Sequence, residues 1–199
     1  MSWLASQPTS VDALCVMALG FAIFLASLAF ARRRGTKAPR VVETRSSASV
    51  VGVAVQMAAF VLVGFGPVLT TLAPDSALAL GEAAGVFVLM AMTIGLFTAA
   101  SRAMGKNWSI VARTREDHQL VTWGPFAAIR HPIYLALFAF MLAMALAFGH
   151  WRGLVLGVPL YWVGTWMRVV EEEKLLRAQF GAAYEAYASR VKRFVPGLI

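Results

Sequence analysis

Residues 77–100 read ALALGEAAGVFVLMAMTIGLFTAA, a run in which Glu82 is the only charged side chain. A helix needs about 20 mostly apolar residues to cross a bilayer, so this run predicts a membrane-spanning helix. Four more runs have this character, and together the five predicted spans are 11–31, 50–72, 77–100, 133–149 and 153–170. The last two are short and are expected to form a helical hairpin. The sequence therefore predicts an all-α polytopic integral membrane bundle with five transmembrane helices.

Composition supports this class and excludes others. Hydrophobic residues make up 59% of the chain and the mean hydropathy is +0.69, whereas soluble domains are about 45–50% apolar. The formal net charge is +8, but the basic residues lie in loops and tail, which favours anionic lipid headgroups over nucleic acid as the partner. With Cys15 as the single cysteine, we expect neither an internal disulfide nor a metal site.

The positions of Lys and Arg predict the orientation. All of them except Arg152 fall between spans 1 and 2, between spans 3 and 4, or from the end of span 5 onward. An excess of Lys and Arg marks cytoplasmic loops, so the N-terminus is expected outside and the C-terminus inside. Arg32–Arg34 follow the first apolar run, which identifies it as a span and not a signal peptide. A composition rich in Ala, Arg and Gly indicates a bacterial inner membrane protein.

Two polar blocks, residues 101–132 and 168–199, lie at the predicted cytosolic ends of spans 3, 4 and 5. Ionisable groups at the mouth of a bundle mark a functional site. In the first block Gly124-Pro125 predicts a turn. Pro132 suits the first turn of span 4, which places His131 beside the free N–H groups of that helix. An interfacial side chain that bonds a headgroup is the alternative interpretation of His131.

The second block carries three consecutive acids, 171–173. Arg168 with Glu172, and Glu173 with Arg177, lie four residues apart and can pair on a helix surface. A solvated helix is therefore one interpretation. Because adjacent acids spread over all faces, at least one is instead expected to point into the bundle.

An apolar stripe predicts that the tail is one amphipathic helix interrupted only mildly at Gly181. The stripe consists of Leu176, Phe180, Tyr184, Tyr187 and Val191. Pro67 and Pro159 are expected to kink their helices.

The order of these elements resembles the isoprenylcysteine carboxyl methyltransferase family, and phospholipid N-methyltransferases share its His-Pro and Glu-Glu elements. The resemblance covers about the C-terminal half and makes residues 77–199 the methyltransferase core, after a two-span region at 1–75. Its elements are Gly105–Ser109, Asp117–Thr122, Gly124-Pro125, Arg130-His131-Pro132-x-Tyr134, Arg168, Glu172-Glu173, Leu176, Phe180-Gly181, Tyr184, Tyr187, Arg190-Val191 and Pro196.

The resemblance implies S-adenosylmethionine bound at the cytosolic face and a lipophilic acceptor that enters from the bilayer. The candidate catalytic residues are Glu172, His131 and Arg168. The candidate cofactor-binding residues are His131, Tyr134, Glu172, Glu173, Gly124, Pro125, Arg190 and His118. A carboxylate acceptor needs no base; an amine or thiol does, and then Glu171, Glu172, His118 or His131 is available.

The chain departs from the family pattern in two places. Phe126-Ala127 stands where the family has Tyr-Arg, and Leu135-Ala136 stands where it has Gly. If that arginine holds a substrate carboxylate, its absence weakens the expectation of a prenylcysteine acceptor. The absence of a Gly-x-Gly-x-x-Gly element excludes a Rossmann methyltransferase. The alternatives are a phospholipid (phosphatidylethanolamine) N-methyltransferase, an NADPH-dependent enzyme similar to the sterol reductases, and a non-enzymatic membrane protein.

Overall fold

The structure is a computed structural model, and it describes residues 6–36, 44–45, 47–108, 113–114 and 119–197. The described part is mainly helical, which confirms the predicted all-α class. Within the described residues the fold consists of six α-helices: α1 (Val11–Thr36), α2 (Ser47–Gly64), α3 (Ala77–Met104), α4 (Pro132–Ala147), α5 (Leu154–Phe180) and α6 (Ala182–Arg190). A two-residue antiparallel pair, β1 (Thr44–Arg45) with β2 (Arg113–Thr114), joins two loops.

Three stretches of the described chain are long and apolar enough to cross a membrane: Val11–Arg34, Ala77–Asn107 and Trp151–Phe180. Two shorter apolar helices, Ala48–Gly64 and Pro132–Ala147, lie between them in the sequence. Helices of this composition need a low-dielectric surrounding, and the chain is an integral membrane protein.

Most contacts between the helices are made by three pairs. The principal contacts join α2 to α5, α3 to α4, and α1 to α3. Helices α4 and α5 follow one another, but they contact each other much less than they contact those partners. The predicted hairpin of spans 4 and 5 is therefore not a tightly packed pair. Between α2 and α5 the backbones come close, because a Cβ on Gly164 would lie 2.8 Å from the carbonyl oxygen of Gly52.

The two ends of the bundle differ in chemistry. At one end, which we call the distal end, Ser10 donates to Glu82 through both its backbone N–H and its hydroxyl, each at 2.8 Å. The hydroxyl of Thr9 donates to the carbonyl of Ala147, also at 2.8 Å. These bonds join the start of α1 to the start of α3 and the end of α4. The opposite end, the site end, holds the start of α4, the acidic part of α5 and α6.

Two expectations about helix ends were wrong. Helix α2 ends at Gly64, so Pro67 lies beyond the helix and cannot kink it. Pro159, in contrast, lies inside α5. The predicted single tail helix is also divided. Helix α5 runs through the acids to Phe180, and Gly181 then adopts φ +49°, a left-handed conformation that ends it. The remainder is the short α6, in which Tyr184 and Tyr187 are buried.

Candidate functional site

The start of α4 is held in place by the C-terminal segment. His131 precedes Pro132 and is the N-cap of the helix. Its backbone N–H donates to the carbonyl of Arg193 at 3.0 Å, and the N–H of Arg130 donates to the carbonyl of Lys192 at 2.8 Å. The chain after α6 therefore returns alongside residues 129–131 and fixes the approach to α4.

The imidazole of His131 lies between two consecutive carboxylates of α5. Nδ1 is 3.5 Å from Oε2 of Glu172, and Nε2 is 3.3 Å from Oε1 of Glu173. His131 is only 6% exposed. Burial alone would lower the pKa of His131, but the hydrogen bonds to the two carboxylates outweigh it and raise that pKa above its ordinary value. The protonated imidazole can donate to both acids at once.

Glu172 has one further partner and remains partly accessible. The hydroxyl of Tyr134, on the first turn of α4, donates to Oε1 of Glu172. The guanidinium of Arg168 lies over the Tyr134 ring, with its Cζ 4.8 Å from the ring centroid. The side chain of Glu172 is 28% exposed, against 1% for Glu173. Glu172 is therefore oriented by its neighbours and can still accept a hydrogen bond from a ligand.

Glu173 is instead enclosed by cations. Arg193 donates to both of its oxygens, at 2.9 and 2.7 Å. Arg130 lies 3.3 Å from Oε1, and Arg177 lies 3.4 Å from Oε2. A buried carboxylate held by a bidentate guanidinium and further cations is a structural anchor. It ties α5 to residue 130 and to the C-terminal segment.

Arg168 is buried and is held by α2. Its Nη1 donates to Oε1 of Gln56 at 2.6 Å, and Nε2 of Gln56 donates to the hydroxyl of Thr165 at 2.7 Å. Sequence reasoning missed Gln56. The available signal was a lone amide in an otherwise apolar run, because a polar side chain inside a membrane helix points toward a partner within the protein.

The other predicted residues are placed differently. Gly124 and Pro125 open a short 3-10 turn, Gly124–Ala127. This turn precedes the start of α4 and the group that we call the cluster, which consists of His131, Tyr134, Arg168, Glu172 and Glu173. Arg190 is exposed, and its Nε donates to the carbonyl of Ala186 in its own helix at 3.1 Å, so the structure does not bring it to His131. His118 lies outside the described residues.

A family model described as "Phospholipid methyltransferase" matches residues 82–183, just over half of the chain. The chain belongs to the phospholipid methyltransferase family. The curated protein-S-isoprenylcysteine O-methyltransferase of Schizosaccharomyces pombe is 31% identical over 94 residues, which is 46% of this chain and 40% of that protein. The match therefore extends over less than half of the relative's length.

The family match includes His131, Tyr134 and the two acids, but the site extends beyond it on both sides. Gln56 comes before the matched region, and Arg193 comes after it. The family motifs in the sequence do not predict the contact of Gln56 with Arg168 or that of Arg193 with Glu173. Both contacts depend on how distant segments of the chain pack.

Two cavities lie beside the cluster, and Arg130 lines both. The larger, about 710 Å³, is bounded mainly by aromatic and aliphatic side chains of α4, α5 and the C-terminal segment. It also carries the basic side chains of Arg130, Lys192 and Arg193. The smaller, about 60 Å³, is lined by His131, Gln119 and Tyr184 among others. We call them the apolar cavity and the polar cavity.

Proposed function

We propose that this protein is an S-adenosylmethionine-dependent methyltransferase that acts on a lipophilic acceptor. The observation that carries the proposal is the contact of His131 with Glu172, two residues from separate segments, where His131 also packs against Phe194 of the apolar cavity. Membership in the phospholipid methyltransferase family supports the same reaction class.

The residues present fit the methyl donor. The donor carries an ammonium group, ribose hydroxyls and a positively charged sulfur, and the partly exposed carboxylate of Glu172 suits an ammonium or a hydroxyl. When bound, the donor supplies an electrophilic methyl group. Glu173, which is already surrounded by guanidinium groups, serves as a positioning residue that keeps His131 and the C-terminal segment in register.

The chain's own groups then align and enclose the reactants. Tyr134 and His131 orient the carboxylate of Glu172, and Arg168 holds the Tyr134 ring from above. The apolar cavity, of a size typical for small-molecule sites, takes the hydrocarbon part of the acceptor and keeps water away. Alignment and desolvation are the main contributions that an in-line displacement requires.

Two acceptors follow from different observations. The basic residues of the apolar cavity favour an acceptor with an anionic group, which supports O-methylation of a carboxylate, and the S. pombe relative is named as an O-methyltransferase. Phosphatidylethanolamine N-methylation is the second candidate, because the amine must lose a proton and Glu172 can accept it. A comparison of lipid extracts from cells with and without the protein, by mass, tests both through the gain of one CH₂ unit.

We also propose how the protein sits in the membrane. All five apolar helices cross it, the distal end lies outside, and the site end faces the cytosol of a bacterial cell. The distribution of Lys and Arg supports this orientation, since Arg152 is the one basic residue of the sequence that the proposal places on the outer side.

Ligand-dependent thermal stability of the detergent-solubilised protein tests the reaction class. We expect the methyl donor or its demethylated product to raise the melting temperature, and Glu172→Ala or His131→Ala to abolish the shift. Arg190→Ala, an exposed position bonded within its own helix, is the control and should keep the shift. Stabilisation by NADPH in place of the methyl donor would favour a reductase, and no shift with either would favour a non-enzymatic protein.

A further inference from the structure

The hydroxyl of Tyr184 is a buried donor without an acceptor. Tyr184 lies on α6 and is 1% exposed. Within the described part of the chain, its hydroxyl and the Nε of Arg130 are both buried and have no hydrogen-bond partner. Buried polar groups are nearly always paired, so an unpaired one calls for an explanation. Two such donors near each other indicate a ligand that supplies acceptor atoms.

Both residues line the polar cavity. Its volume of about 60 Å³ exceeds the roughly 10–15 Å³ that a single water molecule needs, so a carboxylate group fits in this space. His131 lines the same cavity, and its Nδ1 lies 3.5 Å from Oε2 of Glu172. A group bound in the cavity is therefore separated from Glu172 by one side chain.

The charges around the cavity favour an anion. Arg130 and Arg193 share the single carboxylate of Glu173, and Arg177, which also reaches it, is paired with Glu185 at 2.8 Å. Among the described residues that line the polar cavity, Arg130 and His131 can carry a positive charge and none is acidic. Burial, together with the nearby charge of Glu173, raises the pKa of Tyr184 above its ordinary value. Its hydroxyl therefore stays protonated and remains a donor.

We propose that Tyr184 and Arg130 bind the carboxylate of the methyl donor's methionine moiety, with the hydroxyl and the Nε–H group as the two donors. This inference rests on the proposed function. Tyr184 lies one residue beyond the family match, at residues 82–183, and so is a part of the site that the match does not assign.

The test compares two ligands on the 199-residue chain in lipid nanodiscs. One is S-adenosylhomocysteine, and the other is its decarboxylated analogue, which keeps the ammonium group and lacks the carboxylate. We expect Tyr184→Phe to weaken the first ligand about tenfold or more, since a hydrogen bond to a charged group is lost. Binding of the decarboxylated analogue should stay the same. The measured quantity is the ratio of the two dissociation constants.

Tyr187→Phe is the matched control. Tyr187 lies on the same helix and lines the same cavity, but its hydroxyl already donates to the carbonyl of Phe126 at 2.7 Å. Its removal should lower the melting temperature of the unliganded protein and leave the ratio unchanged. Tyr184→Phe should leave the melting temperature equal or higher, because the deleted hydroxyl has no acceptor in the described chain.

Three results would overturn the inference. The ratio of the dissociation constants could stay unchanged in Tyr184→Phe while wild type binds both ligands, which would leave the proposed function intact. Tyr184→Phe could lower the melting temperature of the unliganded protein as much as Tyr187→Phe does, which would show that the hydroxyl already has a partner. Wild type could bind neither ligand, which would remove the proposed function and this inference with it.

Discussion

Two adjacent acids of α5 have different surroundings and therefore different expected roles. Glu172 is partly exposed and contacts Tyr134 and His131, whereas Glu173 is buried among arginines. Their environments differ because α5 turns by about 100° per residue, which aims one side chain at the opening and the next into the bundle. The carboxylate of Glu172 is therefore expected to bind a ligand, and that of Glu173 to stabilise the fold.

Isosteric substitutions separate these roles. Glu172→Gln should weaken binding of the methyl donor by about tenfold to a hundredfold, since a charged hydrogen bond is lost, with little change in melting temperature. Glu173→Gln leaves Arg130 and Arg193 without a buried counter-charge, and breaking such a pair costs about 3–5 kcal/mol. Titration calorimetry and thermal unfolding measure the two effects. A stable Glu173→Gln protein beside an unstable Glu172→Gln protein would show that the assignment is reversed.

The raised pKa of His131 makes the stability of the cluster depend on pH. Burial opposes the protonated form, but the hydrogen bonds to Glu172 and Glu173 outweigh it and raise the pKa above 6.5. A group whose pKa is higher in the folded than in the unfolded state stabilises the fold fully below the unfolded value, and this contribution is lost as the pH rises through the folded value.

We therefore expect the melting temperature of wild type to exceed that of His131→Asn by the largest margin below pH 6.5. The margin should shrink as the pH increases from that value. Thermal unfolding of both proteins across a pH series is the measurement. A margin that widens toward alkaline pH would contradict the proposed protonation of His131.

At the scale of elements, the crossing of α2 over α5 positions Arg168. A Cβ on Gly164 would lie 2.8 Å from the oxygen of Gly52 and 2.9 Å from the backbone nitrogen of Gln56. Small residues of this kind allow membrane helices to approach closely. The close approach brings the amide of Gln56 within hydrogen-bond distance of the guanidinium on α5.

Gly164→Ala should separate these helices, with a loss of about 1–3 kcal/mol of stability and weaker binding of the methyl donor. Gly81→Ala is the matched control on α3, because a Cβ there meets nothing within 4 Å. It should be neutral or stabilising by about 0.5–1 kcal/mol, the usual gain of Ala over Gly in a helix. Equal melting temperatures for the two variants would show that the contact is not close.

Gln56 offers a second test of the same pair of helices. Gln56→Leu removes the acceptor of a buried guanidinium and should lower stability by about 1–3 kcal/mol. Gln56→Glu keeps an oxygen at the same position and should retain most of the stability and ligand binding. Thermal unfolding and donor affinity are measured together. If the Leu and Glu variants behave alike, the hydrogen bond to Arg168 does not position it.

At the scale of the whole molecule, the proposed orientation of the two ends predicts which introduced cysteines an impermeant thiol reagent labels in intact cells. Thr71 is exposed in the loop that leads from α2 to α3 at the distal end, and Ser189 is exposed on α6 at the site end. In a Cys15→Ser background, Thr71→Cys should react with an impermeant thiol reagent in intact cells. Ser189→Cys should react only after the cells are opened. Reaction of both, or of neither, in intact cells would contradict the proposed orientation.

Much of this protein could be predicted from local sequence. Its membrane helices follow from runs of apolar residues, because the need for about 20 such residues in a bilayer acts on each segment alone. The start of α4 follows from Pro132, which favours the first turn of a helix. The phospholipid methyltransferase family follows from ordered motifs. The predicted end of the second span at residue 72 was wrong because apolar residues continue past Gly64, where α2 ends. Hydropathy carries no information about the loss of helical hydrogen bonds near Pro67.

The tertiary structure alone decided which groups meet. Three contacts join residues that are far apart in the chain. Gln56 binds Arg168, and Arg193 binds Glu173. Tyr184 and Arg130 line the same cavity. Local periodicity assigns a side chain to a face of its own helix, but it carries no information about the segment that packs against that face. Packing decides that, and so it also decided which of two neighbouring acids stays open to a ligand.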